Sequence, residues 1–309
     1  MIDVFCAVLL DFLTGDPPNF PHPIRWMGAL IAAEENLVRS YARTDRGGRA
    51  GGLLIVLFNL CVAFGVPWLL LRTFRRVSPP TYHVLNVYLL YTCLAARCLR
   101  DEAVAVLKAL EQGIKGARHR LSYIVGRETS HLNETEILRA TVETVAENTA
   151  DGVIAPLLYA MIGGAPLALA YKMVNTMDSM LGYKNEKYRV LGFFPAKADD
   201  FWNYVPARLS GILMNLSCVF RFNVKDGFRI MLRDRKNHKS PNCAYPEGAA
   251  AGLLGIQLGG DNVYFGEVVR KPTIGDATRP LECQDIRRTI EIMFRAECLL
   301  LLIFLAFRW

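Results

Sequence analysis

Residues 50–71 form a run without one charged side chain. Folded as a helix with a rise of about 1.5 Å per residue, such a run is long enough to cross the roughly 30 Å hydrocarbon core of a bilayer. Inside that core every backbone N–H and C=O must be satisfied within the protein, which restricts the chain to a helical architecture. A second uncharged run, residues 77–96, opens with Pro79 and Pro80, residues suited to the first turn of a helix, and predicts a returning span. Together the two runs predict a hairpin across the membrane. Arg39, Arg43, Arg46, Arg49, Arg97 and Arg100 flank its open side, against Arg72, Arg75 and Arg76 in the turn, so the positive-inside bias places the open side in the cytoplasm.

The remainder of the chain is more mixed. With 52% hydrophobic and 21% charged residues it is too apolar for an ordinary soluble enzyme and too charged to lie wholly in lipid. The net charge of +7 resides near the ends of apolar runs, a distribution that favours anionic lipid or phosphate and excludes a nucleic-acid groove. Eight scattered cysteines and five dispersed histidines predict reduced thiols and no protein-built transition-metal site. No basic region precedes the apolar residues 2–13, which argues against a cleaved signal peptide.

Residues 2–13 read as a short membrane helix that runs into a proline-rich loop bearing Asp16, His22 and Arg25; Asp11 lies near the helix end. Residues 24–41 have the period of a surface helix, and residues 101–139 that of a polar, extramembrane one broken at Gly113 and Gly116. Arg127 and Glu128 follow a glycine, as an anion contact or a helix-to-helix turn. Asn133, Glu134 and Glu136 open a new helix, where acids suit the N-terminal dipole.

That helix begins the polar centre of the chain. Arg139, Glu143, Glu147 and Asp151 recur every four residues, so they form one stripe with Thr144 and Asn148 beside it. A salt-bridged surface stripe has the same spacing, but Ala140, Val142, Val145 and Ala146 surround this one, which favours a site for a divalent cation and phosphate. Residues 152–171 are uncharged, yet Pro156, Gly163, Gly164, Ala165 and Pro166 divide them into halves suited to a re-entrant or buried hairpin. Such a hairpin would return Lys172, Asn175, Asp178 and Ser179 to the side of Glu147 and Asp151. Gly182, Tyr183 and Lys184 then read as a helix end with a mobile cation. Asp199 and Asp200, with Asn203 one turn on and Arg208 beyond, suit either Mg²⁺ or helix capping.

Further on, residues 209–220 are apolar enough to cross or line the membrane, and residues 221–239 are basic, as expected of a cytoplasmic flank. Residues 248–260 are small enough to let a ligand approach the backbone, and residues 298–307, extended back through Ile290, read as a C-terminal membrane helix. The expected fold class is therefore all-α: a polytopic integral membrane protein with a re-entrant or broken helical hairpin. It reads as one domain over residues 1–309, with 101–151 and 221–290 mainly extramembrane.

The phrases Val-Glu-Thr-Val-Ala-Glu-Asn-Thr-Ala-Asp-Gly-Val (142–153) and Ala-Tyr-Lys-Met-Val-Asn-Thr-Met-Asp-Ser-Met-Leu-Gly-Tyr-Lys (170–184), with the segment 199–208, resemble the CbiB/CobD family of cobalamin biosynthesis, the adenosylcobinamide-phosphate synthases. The resemblance extends to Gly15-Asp16-Pro17, Pro21-His22-Pro23, Ser240-Pro241-Asn242, Gly259-Gly260 and Tyr264-Phe265-Gly266, and so spans nearly the whole chain. It departs at Cys243-Ala244-Tyr245, where the family usually has a smaller, glycine-containing run. The resemblance implies a multi-pass inner-membrane enzyme with a cytoplasmic active site. Such an enzyme uses ATP and Mg²⁺ to join adenosylcobyric acid to aminopropanol, or aminopropanol phosphate, through an amide bond.

That chemistry must activate a carboxylate, as an acyl phosphate or adenylate, and it needs a cation, phosphate-binding donors and a base. Glu147, Asp151 and Asp178, with Asp199 and Asp200, are the expected Mg²⁺ ligands, and Glu143 the expected base. Lys172, Lys184 and Arg208 are expected at phosphate, and Arg127, Asn148, Asn175, Ser179 and Asn242 at substrate. No Walker A sequence is present, so the nucleotide site is not a P-loop. The regulatory protein AmpE resembles the same family and supplies a non-catalytic, corrinoid-binding or regulatory alternative; a homo-oligomer is compatible with either.

Overall fold

The computed structural model describes residues 2–17, 20–183, 185–264, 267–269 and 272–307. Lys184, Phe265 and Gly266, each singled out from the sequence, lie outside the described residues. In chain order the helices are α1 (Ile2–Thr14), α2 (Pro23–Tyr41), α3 (Asp45–Val77), α4 (Pro79–Tyr91), α5 (Ala96–Gln112), α6 (Ile114–Leu121) and α7 (Glu134–Asn148). A π-helical turn (Thr149–Ile154) leads into α8 (Ala155–Leu181), followed by α9 (Phe193–Trp202), α10 (Tyr204–Leu216), α11 (Val224–Asp234), α12 (Ala244–Leu254) and α13 (Cys283–Phe307). The all-α expectation holds except between α12 and α13. There β1 (Leu258–Gly259) pairs antiparallel with β4 (Thr273–Ile274), and β2 (Asn262–Tyr264) with β3 (Glu267–Val269). Strands of two or three residues are too short to show alternation in sequence.

The chain divides into two compact units, one formed by Met1–Ala95 and Ala155–Asn203, the other by Ala96–Ile154 and Tyr204–Trp309. In the first, α3 begins at a Thr44 cap whose hydroxyl accepts from the Gly47 amide at 3.1 Å, and it ends with Arg75 and Arg76 in its last turn, where cations complement the helix dipole. Leu54, Leu57, Phe58, Val66 and Leu69 project outward from it, a face that suits lipid and not water. By length and composition α3 can cross a membrane, and so can the path Glu134–Leu181. The two differ in burial: 28% of the apolar window of α3 is covered by protein against 67% of the second, so α3 carries the stronger lipid-facing character.

Two expectations for this unit are corrected. Helix α4 has 13 residues and spans only about 20 Å, short of the hydrocarbon thickness, so the predicted hairpin of two full spans is not formed. It stops because the Thr92 hydroxyl bonds to the Leu89 carbonyl at 2.9 Å while the amides of Cys93 and Leu94 turn back to the carbonyls of Leu90 and Tyr91. Pro156 does not interrupt the apolar run either; the helical path continues through it from the π-helical turn into α8. The break falls at Gly163 and Gly164. Gly164 sits at φ 67° and ψ −163°, a region closed to side chains, and Pro166 withholds the next amide that would have bridged the gap.

In the second unit, Val106 of α5, Ala117 and Leu121 of α6, and Ile137 and Ala140 of α7 bury one another with Leu132. Helix α7 starts at a reciprocal capping box. The Glu136 amide donates to Asn133 Oδ1 at 2.9 Å, and the Asn133 amide donates to Glu136 Oε2 at 2.8 Å. Its regular period ends at Asn148, because the turn Thr149–Ile154 closes i→i+5 hydrogen bonds. Asp151 lies in this turn and still faces the Cys243 thiol together with Glu147. Helix α10 ends at Leu216, so the predicted run to 220 is not helical throughout.

Candidate active site

In the first unit, α8 and α9 bring Asn175, Asp178, Asp199 and Asn203 together. Tyr159 and Tyr171 of α8 stack with ring centroids 5.1 Å apart. Their hydroxyls reach α9: Tyr159 donates to the Trp202 carbonyl at 2.7 Å and Tyr171 to Asn203 Oδ1 at 2.8 Å. Asn203, 1% exposed, is thereby oriented so that its Nδ2 donates to Asp199 Oδ1 at 3.0 Å. Burial and then the charge of Asp178 push the Asp199 carboxyl up to about 7, against the hydrogen bonds from Asn203 and Asn175 that favour its ionised form. Asp178 packs on the backbone of Gly182, whose amide donates to the Asp178 carbonyl at 2.7 Å. A Cβ at Gly182 would lie 1.8 Å from Asp178 Oδ1, so glycine is required there for space.

Two residues expected at this site are engaged elsewhere. Asp200 pairs with Lys197 at 2.9 Å along α9, and Ser179 donates to the Asn175 carbonyl at 2.8 Å from an exposed position. Nearby in the same unit, His22 Nε2 lies 3.5 Å from Asp16 Oδ1 at the start of α2. Burial lowers the His22 pKa; Asp16 opposes the shift, and the charges of Arg25 and Lys172 add to it. Lys172 thus faces the Asp16 to Arg25 loop, a proximity that residue spacing does not reveal.

In the second unit, Glu143 is not disposed as a free base. Arg127 Nη2 donates to its Oε2 at 2.5 Å and the Gly259 amide to its Oε1 at 2.8 Å, while Arg139 Nε stands 3.9 Å away. Each carboxylate oxygen thus accepts one hydrogen bond, which ties Glu143 to Arg127 and to the β1 backbone. Asn148 turns its Nδ2 back to the Thr144 carbonyl at 2.9 Å, which directs its donor into α7 and not toward a substrate.

Glu147 meets Cys243, which the sequence marked as a departure from the family but not as a site residue. The Cys243 thiol donates to Glu147 Oε1 at 2.9 Å. Burial, then Glu147, Asp151 and Glu247, hold this thiol well above its ordinary pKa, which marks three carboxylates converging on one neutral group. Glu247 is only 4% exposed; its place in a small-residue helix beside apolar neighbours was the available signal. Arg208 donates to Asn242 Oδ1 at 3.2 Å and lies between the rings of Tyr204 and Tyr245, at 3.5 and 4.4 Å from their centroids. The run Cys243-Ala244-Tyr245 thus contacts two expected site residues, Glu147 and Arg208.

Among the described residues, no group of three or more His, Cys, Asp or Glu is placed to hold a metal ion alone. Asp178 and Asp199 nevertheless fit Mg²⁺, which is commonly held by one or two carboxylates with water and substrate phosphate completing the shell. Two carboxylates close enough to raise one pKa, with Asn175 and Asn203 beside them, form a hard-oxygen donor set of that kind.

The family described as CobD/Cbib protein matches residues 4–293. A cobalamin biosynthesis protein CobD of Clostridium tetani is 53% identical over 98% of this chain and 96% of its own. One of Geobacter metallireducens is 51% identical over 97% and 94%, and a cobalamin biosynthesis protein CbiB of Salmonella typhi is 49% identical over 98% and 95%. No solved structure matches the chain.

Proposed function

Because the chain belongs to the CobD/CbiB family of cobalamin biosynthesis proteins, we propose that it is an adenosylcobinamide-phosphate synthase, a membrane ligase that forms an amide bond at the expense of ATP. In this reading a carboxylate oxygen of adenosylcobyric acid attacks a phosphorus of ATP, releasing ADP or pyrophosphate. The nitrogen of aminopropanol or its phosphate then attacks the activated carbonyl carbon; the C–O bond breaks, phosphate or AMP leaves, and the amine proton passes to a carboxylate. The observation that carries the reading is the Asp178 and Asp199 pair, whose mutual repulsion in a part-buried setting calls for a counter-ion.

Bound there, Mg²⁺ would neutralise charge developing on the phosphates. Asn175 and Asn203 orient the Asp199 carboxylate, and Lys172 supplies a positive donor for phosphate in the same unit. In the other unit, the carboxylates around Cys243 suit an ammonium group: Glu147, Asp151 and Glu247 attract the protonated amine, and one of them takes its proton. Arg208, held between two tyrosines and Asn242, offers a pre-oriented guanidinium to an anionic substrate group.

The test is reconstitution of the purified protein in lipid nanodiscs with adenosylcobyric acid, either amine, ATP and Mg²⁺, with products read by mass spectrometry. Amide product with stoichiometric ATP consumption is expected, and Asp178→Asn or Asp199→Asn should raise the Mg²⁺ requirement. Absence of ATP consumption with both substrates present rejects the ligase and leaves the non-catalytic, AmpE-like reading.

A further inference from the structure

Within the second unit, a cavity of about 340 Å³ lies against the ends of α12 and α13 and is lined by Arg221, Phe222, Leu253, Leu254, Arg279 and Arg288. Its charged lining is entirely arginine. None of these residues is among those expected at the catalytic centre, and none is used in the proposed reaction.

The arginines are held in place from behind. Asp285 is fully buried, and Arg279 donates to both of its oxygens, at 2.8 and 2.5 Å, while Arg279 Nε donates to the Leu254 carbonyl at 3.0 Å. Arg288 Nη1 donates to Asp285 Oδ1 at 3.0 Å, which fixes the plane of a second guanidinium and leaves its Nε and Nη2 edge available. Arg221 is joined through Nε to Glu291 at 3.3 Å, and Glu291 is shared with Arg295 at 2.8 Å. Asp285, Glu282 and Glu291 stand beside or behind these arginines, but no carboxylate lines the cavity. Arg279, committed to Asp285 and to the carbonyls of Leu254 and Pro280, contributes fixed positive charge, while the open edge of Arg288 and the Arg221 guanidinium supply donors suited to the tetrahedral oxygens of a phosphoryl group. The volume is at the small end of the range for ligand sites, far below what a corrinoid needs.

The source of that group is suggested by the chain leading into the cavity. Leu216, Val219 and Phe220 are exposed, Phe220 completely, and they immediately precede Arg221 and Phe222. A basic residue directly after an exposed apolar stretch is the arrangement that meets lipid phosphate at a membrane surface.

We propose that Arg221, Arg279 and Arg288 form a binding site for a phosphoryl anion, supplied by a phospholipid headgroup or by a soluble phosphate compound. Two arms separate the sources. In the first, retention of phosphatidylglycerol over phosphatidylcholine by the detergent-purified protein is measured by native mass spectrometry. In the second, pyrophosphate binding is measured by calorimetry in neutral detergent. The double variant R221Q/R288Q leaves the Arg279 and Asp285 clamp intact and should weaken binding by about tenfold or more in one arm. Glu291→Gln, which removes the competitor for Arg221, should tighten the same arm, a gain that misfolding cannot produce. Lys225→Gln removes one positive charge outside the cavity and should leave both arms unaltered. Loss confined to the lipid arm identifies a headgroup, and loss confined to pyrophosphate a soluble compound. Unchanged binding in both arms, an equal loss with Lys225→Gln, or no gain with Glu291→Gln overturns the site.

Discussion

Replacement of Glu143 separates a catalytic base from a positioning residue. The carboxylate accepts from Arg127 at 2.5 Å and from the Gly259 amide at 2.8 Å, and the side chains of Glu143 and Arg127 are 11% and 7% exposed. Removing one member of such a buried pair costs about 3–5 kcal/mol, because the other charge remains out of water. That is a large part of a typical folding free energy of about 5–15 kcal/mol. Glu143→Ala is therefore expected to lower the melting temperature and yield of the nanodisc-embedded protein, measured by intrinsic fluorescence. Glu143→Gln keeps the shape and one acceptor, and should cost about 1–3 kcal/mol.

Because the interaction is shared, Glu143→Gln combined with Arg127→Gln should be less destabilising than the sum of the two single changes. If Glu143 were the base, Glu143→Gln would leave stability intact while turnover fell by about 10²–10⁴-fold and the acid limb of the pH profile disappeared. That combination would refute the positioning role. A loss of stability, with the pH profile keeping its shape in whatever activity remains, supports it.

Further outcomes follow from the same geometry. Gly182→Ala forces a methyl group against the Asp178 carboxylate; overpacking costs about 1–3 kcal/mol, and the Mg²⁺ dependence of turnover should shift even where the protein still folds. Asn203→Ala removes the amide that orients Asp199 and should weaken apparent Mg²⁺ affinity by about 10–100-fold, read from a metal titration of turnover. Burial would raise the Asp285 carboxyl, but the hydrogen bonds of Arg279, the Glu282 amide and Arg288 outweigh it and leave its pKa below the ordinary value. Its stabilisation is thus complete above the unfolded-state carboxylate pKa and is lost as pH falls through the lowered folded value. Asp285→Asn should melt lower than wild type at neutral pH, with the difference shrinking on acidification. If the difference is constant with pH, the carboxylate charge is not what holds the arginines.

Helix type and position were legible where local chemistry decides them. The uncharged residues 50–71 have no other satisfied conformation in lipid, and α3 contains them all; Asn133 with Glu136 signals a capped helix start, and α7 begins there. Gly163, Gly164 and Pro166 announced a break because glycine alone tolerates the Gly164 backbone and proline supplies no amide. Membership in the cobalamin biosynthesis family was also readable, since long motifs in order carry it.

Distances across the sequence were not. Spacing placed Asp151 with Glu147, and both face Cys243, but the π-turn that carries Asp151 there was not legible in the spacing. Pairing of Glu143 with Arg127 and Gly259, of Glu147 with Cys243, and of Asp178 with Asp199 joins residues whose separations follow no helical period. The approach of the 221–222 turn to Arg279 and Arg288 was equally hidden, although Asp285 and Arg288 are three residues apart on one helix. The sequence by itself determined the helical class, which run suits lipid and which family the chain joins, because these depend on hydrogen bonding and hydropathy along the chain. Only the tertiary structure decided which side chains each carboxylate meets, Arg127 and the Gly259 amide at Glu143 and Asn203 at Asp199, because desolvation and Coulomb interactions depend on neighbours brought together by folding.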